Sequence, residues 1–237
     1  MNDIQRARAK LSGTLANCSL FSGISDDELS VIAQKMDVIA APRGRLVMQH
    51  GDFTSETYFL ISGGVIGQLV ADNGREILFT EIAVGGYFGE LAALDGAARS
   101  ITISASADCV FAKLSGAKFR EILLAHPQTA VNLATDLGAQ LRGMNERVFD
   151  LVVHSVETRV SIRLMQLAQA QEQLIQGGVI NDAPTREGMA NFVGSNREAV
   201  SRAIARLNKA GIIETMHKKV VILDLDRLLE SAEGTAQ

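Results

Sequence analysis

The sequence predicts an α+β chain: an N-terminal β-roll of the jelly-roll or double-stranded β-helix kind, one long helix, and a C-terminal winged helix-turn-helix. Three observations lead there. Between Val38 and Leu114 short β-rich runs recur, punctuated by glycine, and many short strands at even spacing read as a barrel or sandwich. From Pro127 to His154 no further proline interrupts a helical pattern, giving about 28 residues and about 42 Å at the usual rise. Near the C-terminus two short segments with helical apolar spacing flank Gly194, the form of a helix-turn-helix. The expected boundaries are 1–126, 127–154 and 155–237.

A chain of 237 residues, 47% of them hydrophobic, is long enough for two domains with their own cores. The net charge of −4 argues against a protein coated in basic surface, so nucleic-acid binding requires a local patch. No run approaches the ~18 apolar residues of a membrane span, and Met1 to Lys10 is polar rather than a signal peptide. A cytoplasmic protein with no membrane partner is expected. Cys18 and Cys109 are far apart and lack metal-ligand spacing, which supports neither a disulfide framework nor a metal site. No nucleophile and base are set together, so no catalytic residue is expected and the chain does not read as an enzyme.

Taken in order, Ser25 precedes Asp26-Asp27-Glu28, and Leu29, Ile32, Ala33 and Met36 follow at helical spacing, a cap with an acid three residues on. The strands expected next are Leu46 to Met48, Tyr58 to Ile61, Val65 to Val70, Ile77 to Ile82, Ile101 to Ser106 and Val110 to Ala112. Gly51, Gly63-Gly64 and Asn73-Gly74 stand where hairpins reverse. Gly85-Gly86 then delivers Tyr87-Phe88 to the stretch Gly89 to Ser100, GELAALDGAARS.

That stretch carries chemistry. Gly89 lets backbone approach a ligand closely, Glu90 accepts hydrogen bonds as a sugar hydroxyl requires, and Leu91 opens a short apolar run whose first amides favour an anion. Arg99 and Ser100 offer a charged fork and a hydroxyl to phosphate oxygens. The bland alternative is a Glu90–Arg99 salt bridge across a loop. The pattern resembles the phosphate-binding cassette of cyclic-nucleotide-binding domains, in which the glutamate takes the ribose hydroxyl and the arginine and hydroxyl take the cyclic phosphate.

Along the long helix Ala130, Ala134, Leu137, Leu141, Met144, Val148 and Leu151 alternate in steps of four and three, a heptad seam. Such a seam most simply pairs with its own copy as a homodimer. Val131, Leu133 and Phe149 supply a second apolar face for packing on the chain's own roll. Helix resumes beyond Ser155, Gly177-Gly178 marks a loop, and Pro184-Thr185 starts the first helix of the pair, with Met189, Phe192 and Val193 inward. The second helix turns Val200, Ala203, Ile204 and Leu207 to one side and Arg197, Glu198, Ser201 and Arg202 to the other. Arginine can grip guanine in the major groove and glutamate can accept from cytosine. Glu198 has a competing task, since Ser195 and Glu198 have capping-box spacing; if Asn196 is the cap instead, Glu198 is free to read. From Ala183 to Val220 seven basic residues face three acids. Thr185, Arg186, Ser195, Asn196 and Lys218, the last at the tip of a small hairpin, complete the candidate DNA contacts.

With roll, long helix and this motif in one chain, the sequence resembles the cyclic-AMP receptor protein superfamily of bacterial transcription regulators from about Leu20 to Arg227. The resemblance rests on Phe88-Gly89-Glu90-Leu91, Arg99-Ser100, Val193 to Arg202, and Gly211-Ile212-Ile213. It implies a double-stranded DNA partner, a homodimer, contact with RNA polymerase for which the Gln169 to Asp182 loop is a candidate, and cyclic AMP as allosteric effector, with cyclic GMP the alternative. It assigns Arg197, Glu198 and Arg202 to a TGTGA-type half-site. In cyclic-AMP-sensing members a threonine and a serine of the long helix meet the adenine; Met144 and Asn145 stand there, and Asn145 has both a donor and an acceptor for a base edge. Two other classes remain open: a DNA regulator of this fold answering another signal, and a nucleotide-sensing module acting on a protein partner.

Overall fold

A computed structural model describes residues 3–70 and 76–234. The Asn73-Gly74 reversal lies outside the described residues. The chain divides into two compact units, Met1–Leu141 and Arg142–Gln237.

The first unit opens with α1 (Asp3–Ala9), α2 (Leu11–Ala16), a 3-10 turn at Ser19–Phe21 and α3 (Asp26–Gln34). Helix α3 starts as its sequence predicts: Ser25 Oγ accepts from the Glu28 amide and Glu28 Oε2 accepts from the Ser25 amide, a complete capping box. Eight strands follow among the described residues: β1 (Asp37–Ala41), β2 (Leu46–Met48), β3 (Thr57–Ser62), β4 (Val65–Val70), β5 (Glu76–Ile82), β6 (Tyr87–Phe88), β7 (Thr102–Ala105) and β8 (Cys109–Leu114). Between β6 and β7 lies α4 (Glu90–Asp95); α5 (Gly116–Ala125) and α6 (Pro127–Val153) come after β8. The strands form two four-stranded sheets, in the orders β1-β8-β3-β6 and β2-β7-β4-β5, all paired antiparallel.

The centre of the sheet β1-β8-β3-β6, strands β3 and β8, is buried on both faces. On β3, Tyr58 and Leu60 enter the core shared with the other sheet, beside Val65, Phe88, Ile103 and Phe111. Phe59 faces the opposite way, into a second core with Leu15, Phe21, Leu29, Phe119 and Leu133 from the surrounding helices. Alternate side chains of a strand point to opposite faces, so the run Thr57–Leu60 is buried without a break and shows no polar alternation. Leu133 packs as expected, whereas Val131 and Phe149 are exposed. The face of α6 held by the roll unit is Thr129, Leu133 and part of Leu137, not the Val131–Phe149 stripe.

The second unit contains the end of α6, then α7 (Val156–Ala170), β9 (Val179–Ile180), α8 (Arg186–Phe192), α9 (Arg197–Lys209), β10 (Ile213–Met216), β11 (Lys219–Ile222) and α10 (Leu225–Glu233). Ser155, Thr185, Asn196 and Asp224 each cap the helix that follows. Val160 and Leu164 of α7, Met189 of α8, Val200, Ile204 and Leu207 of α9, and Ile213, Val220 and Leu228 share one core. The segment read as a loop after Gly177-Gly178 supplies β9, the third strand of an antiparallel sheet in the order β10-β11-β9.

Candidate functional sites

Strand β6 aims the cassette. It pairs with β3, Tyr58 opposite Phe88 and Phe59 opposite Tyr87. The Phe88 ring stacks on Tyr58 at 5.1 Å and meets Phe111 edge-on at 5.8 Å, geometries that aromatic pairs favour. The chain then turns through Gly89 at φ +84° into α4, which Gly96 closes at φ +73°. Arg120 of α5 donates to the carbonyl of Ala93 and anchors this helix from outside.

Arg99 is 2% exposed. Its Nε donates to Thr54 Oγ1 at 2.8 Å, Nη1 to the Gly89 carbonyl at 2.9 Å, and Nη2 to the Glu56 carbonyl at 2.8 Å. Among the described residues the acid that reaches its guanidinium is Glu56, with Oε2 at 3.5 Å from Nη2, and the alternative of a Glu90–Arg99 bridge is not what forms. Backbone bonds from the Arg99 amide to Asp52 and from the Gly51 amide to Arg99 close the loop around it. The reason for glycine at 89 is correspondingly sharper than close approach of a ligand. A Cβ there would lie 2.6 Å from the Glu56 carbonyl oxygen and 2.8 Å from Arg99 Nη1, inside any tolerable contact.

Glu90 is 7% exposed. Burial pushes its carboxyl up from the usual range; its own backbone amide and Arg99 oppose that shift, and Asp136 adds to it. Leu91 and Ser100 are exposed beside these buried groups. The roll thus brings Gly89, Glu90, Leu91, Arg99 and Ser100 together around one turn. Met144 and Asn145 are exposed on α6 and belong to the second unit.

In the second unit Gly194, at φ +64°, turns α8 into α9. Asn196 is the cap of α9: its Oδ1 accepts from the Ala199 amide at 2.8 Å. That removes Glu198 from a capping box. The Glu198 carboxylate lies 4.0 Å from Arg202, with both side chains largely in solvent, a spacing that contributes little energy. Arg197, Glu198 and Arg202 are exposed and Ser201 is half-buried, opposite the apolar face of α9. Thr185 is exposed with its hydroxyl accepting from Gly188, while Arg186 and Ser195 are half-buried. Lys218 is exposed in the turn between β10 and β11. Another member of the basic excess, Arg206, pairs with Glu157 of α7.

Sequence reasoning missed the groups that hold these residues. Thr54 and Glu56 fix Arg99, and nothing in the local pattern marks them. In the second unit Arg159 Nη1 donates to the carbonyls of His154 at 2.8 Å and Leu151 at 3.2 Å, while its Nε reaches the Val193 carbonyl at 2.9 Å. It satisfies the open end of α6 and ties it to the helix-turn-helix. Phe192, expected inward, is half-buried with the Arg163 guanidinium 3.3 Å from its ring centroid.

A roll carrying this cassette and a winged helix-turn-helix in one chain define a ligand-binding, DNA-binding regulator. Residues 38–126 match the cyclic nucleotide-binding domain and residues 158–231 the Crp-like helix-turn-helix domain. The chain is 30% identical over 221 residues to the CRP-like cAMP-activated global transcriptional regulator of Mycobacterium tuberculosis, covering 92% of this chain and 98% of that one. The Thermus thermophilus catabolite activator protein structure matches with TM-score 0.54 at 25% identity, over 92% of this chain and 100% of that one. The c-di-GMP responsive global regulator CLP of Xanthomonas campestris shares the fold, with TM-score 0.72 at 20% identity over 90% and 99% of the two chains. The chain belongs to the cyclic-AMP receptor protein superfamily: it is a cyclic-nucleotide-binding transcription regulator, not an enzyme.

Proposed function

We propose that the chain is a cyclic-AMP-dependent regulator that binds TGTGA-like palindromes as a homodimer in the cytoplasm and acts on RNA polymerase. The observation that carries this reading is Arg99: a buried guanidinium, held by Gly89, Thr54 and Glu56 at the mouth of a turn that exposes Ser100. Such a preorganised cation suits the single charge of a cyclic phosphate. Glu90 would accept the ribose 2′-hydroxyl and Leu91 would flank the sugar.

The working domains are 1–126, 127–154 and 155–237. The seam of the long helix supports the dimer, because Leu141, Met144, Val148 and Leu151 are exposed large apolar side chains in a row. Across that seam Asn145 would meet the base edge of the nucleotide. Its amide offers a donor and an acceptor, which keeps cyclic GMP as a second ligand to compare. Arg197, Glu198 and Arg202 would read bases, and Thr185, Arg186, Ser195, Asn196, Ser201 and Lys218 would position the backbone. Nucleotide binding would change how two recognition helices meet successive major grooves about 34 Å apart, and ligand and operator affinities would be reciprocally linked.

The test is titration of labelled palindromic DNA with no nucleotide, with cyclic AMP and with cyclic GMP. Tighter binding with cyclic AMP is expected. Equal affinity in all three would remove the switch, and a larger response to cyclic GMP would reassign the effector.

A further inference from the structure

Strand β6 has two faces with different partners. Phe88 enters the core between the sheets. Tyr87, one residue earlier, turns to the helices, its ring 6.0 Å from Phe59, and its hydroxyl donates to Asp136 Oδ2 of α6 at 2.8 Å. The same carboxylate oxygen accepts from Ser19 Oγ at 2.7 Å. One turn earlier on α6, Asn132 donates to the carbonyls of Leu20 and Ser22, and Leu133 is buried beneath them. This part of the long helix is therefore seated on the 3-10 turn, and Asp136 adds a direct bond from it to the strand that ends at Gly89.

Tyr87 stands two residues before Gly89 and three before Glu90. Because Phe88 is packed among Tyr58 and Phe111, a displacement of the backbone at Gly89–Glu90 would pivot β6 about that ring and move Tyr87 against α6. Burial raises the pKa of the Tyr87 hydroxyl, and its bond to Asp136 and the negative charges of Asp136 and Glu90 add to that, which keeps it a donor.

We propose that Asp136 and Tyr87 are positioning residues through which the cyclic-nucleotide cassette reports its occupancy to the long helix. This rests on the function proposed above. Tyr87→Phe removes one oxygen and keeps the ring; Asp136→Ala removes the acceptor; Asp136→Asn keeps an acceptor oxygen without the charge.

The readouts are calorimetric nucleotide affinity and the ratio of operator affinity with and without cyclic AMP. In Tyr87→Phe and Asp136→Ala that ratio is expected to fall about fivefold or more while nucleotide affinity changes less than about threefold. The double variant should be no worse than Asp136→Ala alone, and Asp136→Asn should retain most of the ratio. Ratios unchanged in folded Tyr87→Phe and Asp136→Ala, or losses that add in the double variant, would overturn the proposal. If the wild-type chain binds nucleotide but its operator affinity does not respond, the switch fails and the link is read by amide exchange over residues 129–141. Nucleotide-induced protection lost in Tyr87→Phe upholds the link; equal protection in both overturns it. A wild-type chain that binds neither nucleotide overturns both readings.

Discussion

Replacing Gly89 with alanine tests why the cassette begins with glycine, and Gly96→Ala is its internal control. Both positions have left-handed backbone, φ +84° and +73°, which costs a side-chain-bearing residue about 1–2 kcal/mol. At Gly96 an added Cβ meets nothing within 4 Å, whereas at Gly89 it lies 2.6 Å from the Glu56 carbonyl and 2.8 Å from Arg99 Nη1. The carbonyl is backbone and cannot rotate away, so overpacking adds about 1–3 kcal/mol at Gly89 alone, about 2–5 in all. At about 2–4 °C per kcal/mol for a chain of this size, Gly96→Ala should lower the melting midpoint by about 2–8 °C and Gly89→Ala by about 4–20 °C. Scanning calorimetry gives the midpoints, and nucleotide titration of the folded variants gives function. Only Gly89→Ala should also weaken binding, by pushing Arg99 off its seat. Equal midpoints and equal affinities for the two variants would refute the claim that this glycine makes room for the arginine.

Burial holds the Glu90 carboxyl above the ordinary glutamate range, and its ionised form is the better acceptor for a ribose hydroxyl. Nucleotide affinity should therefore begin to fall on acidification at a pH higher than an exposed glutamate would require, and Glu90→Gln should bind more weakly at neutral pH without that dependence. For folding the sign is opposite: the native state holds this proton more tightly than the unfolded chain. Its contribution is thus fully present below the unfolded pKa and is lost as pH rises through the folded one, which a pH series of melting midpoints without nucleotide would show as a smaller loss in Glu90→Gln. Arg202→Ala should cost about 1–3 kcal/mol at one base pair and relax discrimination there, while Lys218→Ala should weaken all sequences alike and reduce the salt slope by about 1; mobility-shift titrations against single-base variants at several salt concentrations separate the two. Glu56→Gln keeps the carbonyl that holds Arg99 and removes the carboxylate 3.5 Å from it, so cyclic-nucleotide affinity measured by calorimetry should rise by about two- to tenfold; weaker binding would show that the carboxylate itself positions the guanidinium.

The cassette was legible because its residue types are contiguous and each has a distinct chemical capacity. What surrounds them was not. Glu56 and Thr54 come from a loop more than forty positions upstream of Arg99, and only the folded sheet brings them there. The apolar pattern of α6 reads as two stripes in the sequence, but periodicity cannot say which positions a neighbour covers: Leu133 is buried, while Val131 and Phe149, expected with it, are in solvent. Strand β9 has two residues, too short for any period to register. The last helix was within reach, since Asp224 caps a run with Leu225 and Leu228 at helical spacing. At Asn196 sequence left two caps open, and the bond from the Ala199 amide decides between them.

The seating of Arg99 also bears on how a phosphate would gain affinity. Its guanidinium is already desolvated, and burial lowers its pKa against the pull of Tyr58, Glu56, Glu90 and Asp52. Three of its bonds go to neutral oxygens, the carbonyls of Gly89 and Glu56 and the Thr54 hydroxyl. Neutral acceptors fix the fork without neutralising it. The charge is compensated at close range only weakly, by Glu56 at 3.5 Å. An arriving anion therefore meets a cation whose side-chain entropy and desolvation were committed during folding, and its gain is largely electrostatic in a medium less polarisable than water. An exposed arginine at the same position would incur both costs at the moment of binding. In the proposed function the buried seat, more than the presence of an arginine, would make this turn a phosphate site, and Gly89 leaves the room that seat needs.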